Sequence, residues 1–250
     1  MYTAEMLESI KKVEATRAQR IGVEPRRMTA EEKDALLLSL GINVNLAPVC
    51  DISSDPSSFI YPRTLGQDAE TTSDYIRTVV GQMKSDGIGM VLKHFPGYGG
   101  SADTHTGQAL DPRPLSDFEK NDLLPFEAGI DAGAQAVLVS HNIVACLDAD
   151  YPASLSPAVH ALLRGRLGFD GVIMTDDLAM QAVTDFTGDE NAAVLAVQAG
   201  NDLIISSDFV TQYHAVLDAV EFFRDSPDNL FRGIAPHGRN RRKVVFDVVL

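Results

Sequence analysis

Residues 93–105 read KHFPGYGGSADTH. Lys93 and His94 end an apolar run, and Asp103 and His105 stand two apart at the far side of a glycine-rich bend. In a polar mouth, Lys93 and His94 can donate hydrogen bonds to hydroxyls or to an anion. A carboxylate beside an imidazole holds the ring's orientation and favours its protonated form. His105, with Asp103 as partner, is therefore a candidate general acid near neutral pH. An isolated Asp-x-His is also the signature of an Asx-turn with an exposed histidine. A second cluster lies in GVIMTDDLAM, where an apolar run ends in Thr175, Asp176 and Asp177. Asp176, the first carboxylate past that run, can attack or bind, whereas Asp177 sits better to cap the helical stretch LAMQAV. Arg63 in YPRTLG and His141 after LVS complete the candidates. Taken singly, Arg63 reads as a surface arginine, and His141 as either a mouth residue or a donor to backbone.

These residues need elements that hold them together. The chain alternates short apolar strands with helices. Thr29 and Glu32 form a capping box for a helix that Gly41 ends, feeding a strand at 42–49. A helix at 69–85 precedes a strand at 89–94. A long loop at 95–114 leads to a Ser116/Glu119 capping box and a helix carrying Phe126 and Ile130. A strand at 136–141 follows, then a helix opened by Ser156 and Pro157, a strand at 171–175, a helix near 189–199, a strand at 202–206 and a helix at 209–224. Residues 1–28 read as helical or irregular, and in the basic tail only KVVFDVVL is strand-like. Near-continuous apolar strands alternating with helices indicate a parallel α/β sheet. Polar residues collect at the C-terminal ends of the strands, where such folds build their sites. A dinucleotide fold needs its glycine motif directly between strand and helix. The proline and long loop around GYGGSAD speak against that, and favour a barrel.

Composition narrows the partners. The 250 residues carry 35 acids against 21 bases, a formal net charge of −14, which disfavours nucleic acid and suits a neutral or cationic small substrate. No apolar run approaches the roughly 18 residues of a membrane span. Cys50 and Cys146 stand in neither a CxxC nor a metal-type cluster, so two buried free thiols are expected, with no metal and no cofactor. The first 30 residues lack the apolar core of a signal peptide, and the expected location is the cytoplasm.

In order along the chain, NVNLAPVCDI, YPRTLGQD, VLKHFPGYG, ADTH, GFDGVIMTDDL and AGNDLII resemble the family 3 glycoside hydrolases, most closely the bacterial β-N-acetylglucosaminidase branch. The similarity covers about 36–210 of a chain expected to form one domain over 1–250. It implies a (β/α)8 TIM-barrel-like fold and a retaining mechanism through a covalent glycosyl–enzyme. By that resemblance Asp176 is the nucleophile, and His105 the general acid/base with Asp103 as its partner. Arg63, Lys93 and His94 hold the sugar, and the Phe95–Pro96 bond is cis; His141, from its place after a strand, joins them as a substrate-binding candidate. Family members also carry a D-x-E-G-G-R segment upstream of the NVNLAPV strand, which this sequence lacks. Only five strands are legible where the barrel has eight, so the expected barrel is incomplete or atypical at its N-terminus. An open barrel exposes apolar edges. The N-terminal helix and the KVVFDVVL tail, or a second copy of the chain, are expected to cover them.

The implied substrate is a small carbohydrate with a non-reducing β-linked N-acetylglucosamine or glucose. The alternatives are a phosphorylase on the same scaffold and a truncated, inactive sugar-binding remnant. An aryl N-acetyl-β-glucosaminide and an aryl β-glucoside, each assayed with and without phosphate, separate these. The incomplete barrel should leave the sugar site without one wall, so turnover is expected to be low even with Asp176 and His105 in place.

Overall fold

The computed structural model describes residues 28–100, 103–188 and 191–223, and the backbone of 245–247. Eight strands occur there: β1 (Val44–Asn45), β2 (Gly89–Phe95), β3 (Leu110–Asp111), β4 (Ala136–Val139), β5 (Ile143–Val144), β6 (Val172–Asp177), β7 (Leu203–Ile205) and β8 (Val245–Asp247). Six of them form one parallel sheet in the order β1-β2-β4-β6-β7-β8, and β3 pairs with β5 beside it. Each new strand joins on the same side of the last. That is the winding of a barrel; a doubly wound sheet reverses direction at a switch point. All five expected strands are present. Two-residue strands such as β3 and β5 are too short to leave a periodic signal.

Of the expected covers, only three residues of the tail fall among the described residues. β8 lies parallel to β7, with Leu203, Ile204 and Ile205 opposite Val245, Phe246 and Asp247. Among the described residues the sheet remains open, since β8 does not pair with β1. Residues 1–27 and the basic run Arg239 to Lys243 lie outside the described residues. The chain at 42–49 is less regular than its apolar pattern suggests, because Pro48 has no N–H to give to a ladder. It still follows β2: Val91 donates to the Ala47 carbonyl at 2.9 Å and Lys93 to the Pro48 carbonyl at 3.2 Å.

Alternation along the strands builds two layers. Leu92, Val137 and Ile173 face outward against Ile76, Val80 and Met83 of α2 (Ala69–Asp86) and Phe126 of α3 (Leu123–Asp131). Val91, Ala136, Leu138 and Met174 face inward with Leu203 and Ile205. The inner face borders an apolar groove of about 440 Å³ lined by Val44, Leu46, Met90 and Met174 among others. Ahead of α2, α1 (Ala30–Ser39) begins with the expected Thr29/Glu32 capping box. Asp68 caps α2 through Thr71, and Gly87 ends it at φ 78°.

The expected Ser116/Glu119 box is absent. A helical turn already starts at Leu115, so Ser116 lies inside it, and Glu119 pairs with Arg166 instead. α4 (Pro157–Ala161) is capped by Ser156 as expected. α5 (Gln181–Thr187), α6 (Ala192–Ala199) and α7 (Phe209–Phe223) complete the set. Cys50 is a buried free thiol, whereas Cys146 is exposed, contrary to the expectation for both. No helix among the described residues is long and apolar enough to cross a membrane.

Two helical glycines report opposite constraints. A Cβ on Gly129 would lie 2.7 Å from Leu92 Cδ1, whereas one on Gly81 would meet nothing within 4 Å. Gly129→Ala should destabilise by about 1–3 kcal/mol through overpacking. Gly81→Ala should stabilise by about 0.5–1 kcal/mol. Urea unfolding of the two variants checks both signs.

Candidate active site

The C-terminal end of β2 presents Lys93 and His94. His94 is buried, and its Nδ1 lies 2.7 Å from Asp51 Oδ2. The same carboxylate accepts the His94 amide at 3.0 Å and, through Oδ1, the Tyr98 amide at 2.9 Å. On the ring's other side, Arg63 Nη2 lies 3.0 Å from His94 Nε2. A guanidinium only donates, so Nε2 accepts and Nδ1 carries the proton given to Asp51. Arg63, read alone as a surface residue, is therefore held against the strand end. The Phe95–Pro96 bond is cis as expected, as are Ala47–Pro48 and Lys93–His94.

Asp176 ends β6. Its Oδ1 accepts the Asp177 amide at 2.9 Å. Burial works to raise the pKa of this carboxyl, but the His141 and His94 imidazoles, the Asp177 amide and the Lys93 ammonium outweigh it, leaving the pKa below the ordinary carboxylate value. Lys93 is held below the usual lysine range by burial and by Arg63, with Asp176 and Asp51 opposing. His141, buried at the end of β4, takes a hydrogen bond from Ser154 Oγ at Nδ1 (2.7 Å) and donates from Nε2 to the Asp177 carbonyl (3.1 Å). Burial pushes its pKa below the ordinary imidazole value. Asp177 does not cap a helix, since α5 starts later, at Gln181, behind Met180. It ties the turn to the next strand end, accepting Ala179 N at 3.0 Å and Ser207 N and Oγ at 2.9 and 2.7 Å.

The Asp103–His105 pair lies on the loop after β2. Asp103 Oδ1 accepts the His105 amide at 3.0 Å and sits 2.7 Å from His105 Nδ1. The Asx-turn and the acid–imidazole dyad are thus one arrangement. Donation from Nδ1 leaves Nε2 available for proton transfer. The His105 side chain is 53% exposed. The Thr104 carbonyl beside it accepts Ala182 N at 3.2 Å, which ties this part of the loop to α5, just after β6.

The family model described as the glycosyl hydrolase family 3 N-terminal domain matches residues 18–227. This chain belongs to glycoside hydrolase family 3. It is 36% identical over 214 residues to the β-hexosaminidase LpqI of Mycobacterium tuberculosis, covering 82% of this chain and 54% of that protein. It is 34% identical over 172 residues to a β-hexosaminidase of Nitrosomonas eutropha, covering 68% and 49%. Among solved structures, a family 3 β-N-acetylglucosaminidase from a Paenibacillus species superposes with a TM-score of 0.74 at 35% identity, covering 82% of this chain and 40% of that one. The chain spans about half the length of the curated relatives it matches.

In this family 3 domain the loop glycines serve close packing. Gly97, at φ 118°, would place a Cβ 2.7 Å from Asp122 Oδ1, and Gly99, at φ 52°, lies against the Arg113 guanidinium. The loop rests on an ion cluster in which Arg113 forks onto Asp111 at 2.8 and 3.0 Å and onto Asp122 at 2.8 and 3.1 Å. Arg113 also stacks over Phe118 at 4.3 Å. Tyr98 and Thr104 are buried and bonded to each other at 2.7 Å, and the Thr104 carbonyl accepts Ala182 N at 3.2 Å. The loop is anchored on both sides of its glycines. Sequence reasoning missed Asp51, Arg113, Thr104 and Ser154. Asp51 had a usable signal, a carboxylate just past the strand at 42–49, the same place where the other candidates were found.

Both carboxylates held by Arg113 have side chains only 2% exposed. Arg113→Ala removes the cation they share and should cost about 3–5 kcal/mol. Arg113→Lys should recover only part of this, since an ammonium cannot fork onto both partners. Chemical denaturation of the three proteins checks it.

Proposed function

We propose that this domain cleaves β-linked N-acetylglucosamine from non-reducing ends by a retaining, two-step mechanism. The observation that carries the reading is Asp176, a carboxylate on the same rim as Lys93 and His141 whose Oδ1 accepts the Asp177 amide at 2.9 Å. In the first step Asp176 attacks the anomeric carbon as His105 Nε2–H protonates the glycosidic oxygen, and the alcohol departs. In the second, neutral His105 takes a proton from water, whose oxygen attacks the same carbon and frees Asp176. Asp103 holds the His105 ring in place throughout. Arg63 and Lys93 supply donors to sugar hydroxyls. Both ring nitrogens of His94 are already engaged, so it acts by orienting Arg63. The matched relatives carry hexosaminidase names, which favours hydrolysis of an N-acetylhexosaminide over phosphorolysis or an inactive remnant.

Asp176→Asn should cut turnover of an aryl N-acetyl-β-glucosaminide by several orders of magnitude. A 2-fluoro glycoside should label Asp176 and no other carboxylate. Full activity in the Asn variant overturns the reading. His105→Gln should lose about 10²–10⁴-fold on poor leaving groups and far less on dinitrophenyl glycosides, which leave without a proton.

The pH profile follows from the sign of the Asp176 shift. Asp176 acts ionised and its pKa is lowered, so the acid limb of kcat/KM that it causes should lie below the ordinary carboxylate range. Removing the Lys93 charge in Lys93→Met should move that limb to higher pH.

A further inference from the structure

We propose that Ser154 and Asn201 are positioning residues for the Asp176 carboxylate, acting through His141. The inference rests on the reading of Asp176 given above.

Three buried residues, Asn201, Ser154 and His141, form a continuous bracket that leads to the Asp177 peptide beside Asp176. Asn201 follows α6, and its Nδ2 donates to the Ser154 carbonyl and to the Ala196 carbonyl, both at 2.8 Å. Ser154 lies in the turn Ala153–Leu155, and its amide donates to the Ser140 carbonyl at 2.9 Å. Its Oγ lies 2.7 Å from His141 Nδ1. His141 Nε2 reaches the Asp177 carbonyl at 3.1 Å, and the Asp177 amide reaches Asp176 Oδ1 at 2.9 Å. Ser154 is 0%, His141 1% and Asn201 4% exposed, so water does not substitute readily for a lost partner.

The proton positions follow from the partners. The Asp177 carbonyl only accepts, so His141 Nε2 carries a proton. Burial favours the neutral ring, which makes Nδ1 an acceptor. The Ser154 hydroxyl meets that acceptor. Without it, Nδ1 becomes a buried, unpaired acceptor, and the ring has reason to move its proton to Nδ1 or to turn. Either change releases the Asp177 carbonyl and frees the peptide whose neighbouring amide steadies Asp176. Asn201 acts one step further back by holding the turn that presents Ser154. Nucleophilic displacement is steep in geometry, and a misplacement of about 1 Å can cost on the order of 10²-fold.

The test uses the full chain with labelled histidine and aspartate. In the wild type, two-bond proton–nitrogen spectra should show His141 as the neutral Nε2–H tautomer. In Ser154→Ala that signature should be lost, and the Asp176 carboxyl carbon should titrate at higher pH. On an aryl N-acetyl-β-glucosaminide, kcat should fall about 10- to 100-fold with KM nearly unchanged. Ser154→Cys keeps a weak donor at similar size, should fall between the two, and carries the test if the Ala variant does not fold. Asn201→Leu should shift the same readouts in the same direction. An unchanged tautomer or an unchanged Asp176 titration in the variants overturns the inference, whatever happens to activity. A wild type that turns over no N-acetylglucosaminide while the spectra behave as expected overturns the functional reading and leaves the bracket standing.

Discussion

The site depends on one buried carboxylate. Asp51 is 1% exposed, and its two oxygens accept three N–H groups, from the His94 amide, the His94 ring and the Tyr98 amide. A buried charge is tolerated only when its acceptor capacity is met, and here that requirement organises a neighbourhood. The ring donor fixes the His94 tautomer, which turns Nε2 into the acceptor that holds Arg63. The two backbone donors fix the end of β2 and the start of the loop that leads to His105. One residue on the segment after β1 therefore sets the placement of groups from three others.

The parallel sheet makes such an arrangement possible. Every strand of the main sheet runs the same way, so side chains at the strand ends converge on one rim. Lys93, His141 and Asp176 belong to the ends of β2, β4 and β6, which are neighbours in the sheet. Their mutual electrostatics decide the Asp176 ionisation. Burial alone would raise the pKa of this carboxyl, and the groups around it, Lys93 and the Asp177 amide among them, reverse that direction. Lys93 meets the converse pressure, pushed toward neutrality by burial and by Arg63 and restrained by Asp176. Lys93 and Asp176 are matched in this way, each moderating the effect of burial on the other.

The loop shows how a second cluster supports the first. Arg113, Asp111 and Asp122 form a rigid charged floor, and Gly97 and Gly99 are the residues that fit against it. Tyr98 points into the core beside His94, with ring centroids 5.2 Å apart. Thr104 is buried between Asp103 and His105, so the dyad is carried outward on an anchored residue. Gly97, Gly99 and Gly100, taken by residue type alone, suggest freedom. The packed structure shows that a side chain at Gly97 or Gly99 would collide with Asp122 or Arg113.

Much of this protein was legible in its residues. Apolar runs of four to eight residues, spaced by capped helices, determined a parallel α/β sheet, because only buried strands tolerate that continuity. Polar residues at the strand ends marked Lys93, His94, His141 and Asp176, and the order of the motifs pointed to family 3. The local Asx pattern at 103–105 specified its own turn. Tertiary structure alone decided what lies far apart in the chain. Asp51 meets His94 across 43 positions, Ser154 meets His141 across 13, and Arg113 meets Asp122 across nine. No periodicity encodes such pairings, because they depend on where whole strands and loops arrive in space. The same is true of the Asp176 ionisation, which sums the fields of groups from β2, β4 and β6 that only the folded sheet brings to one rim.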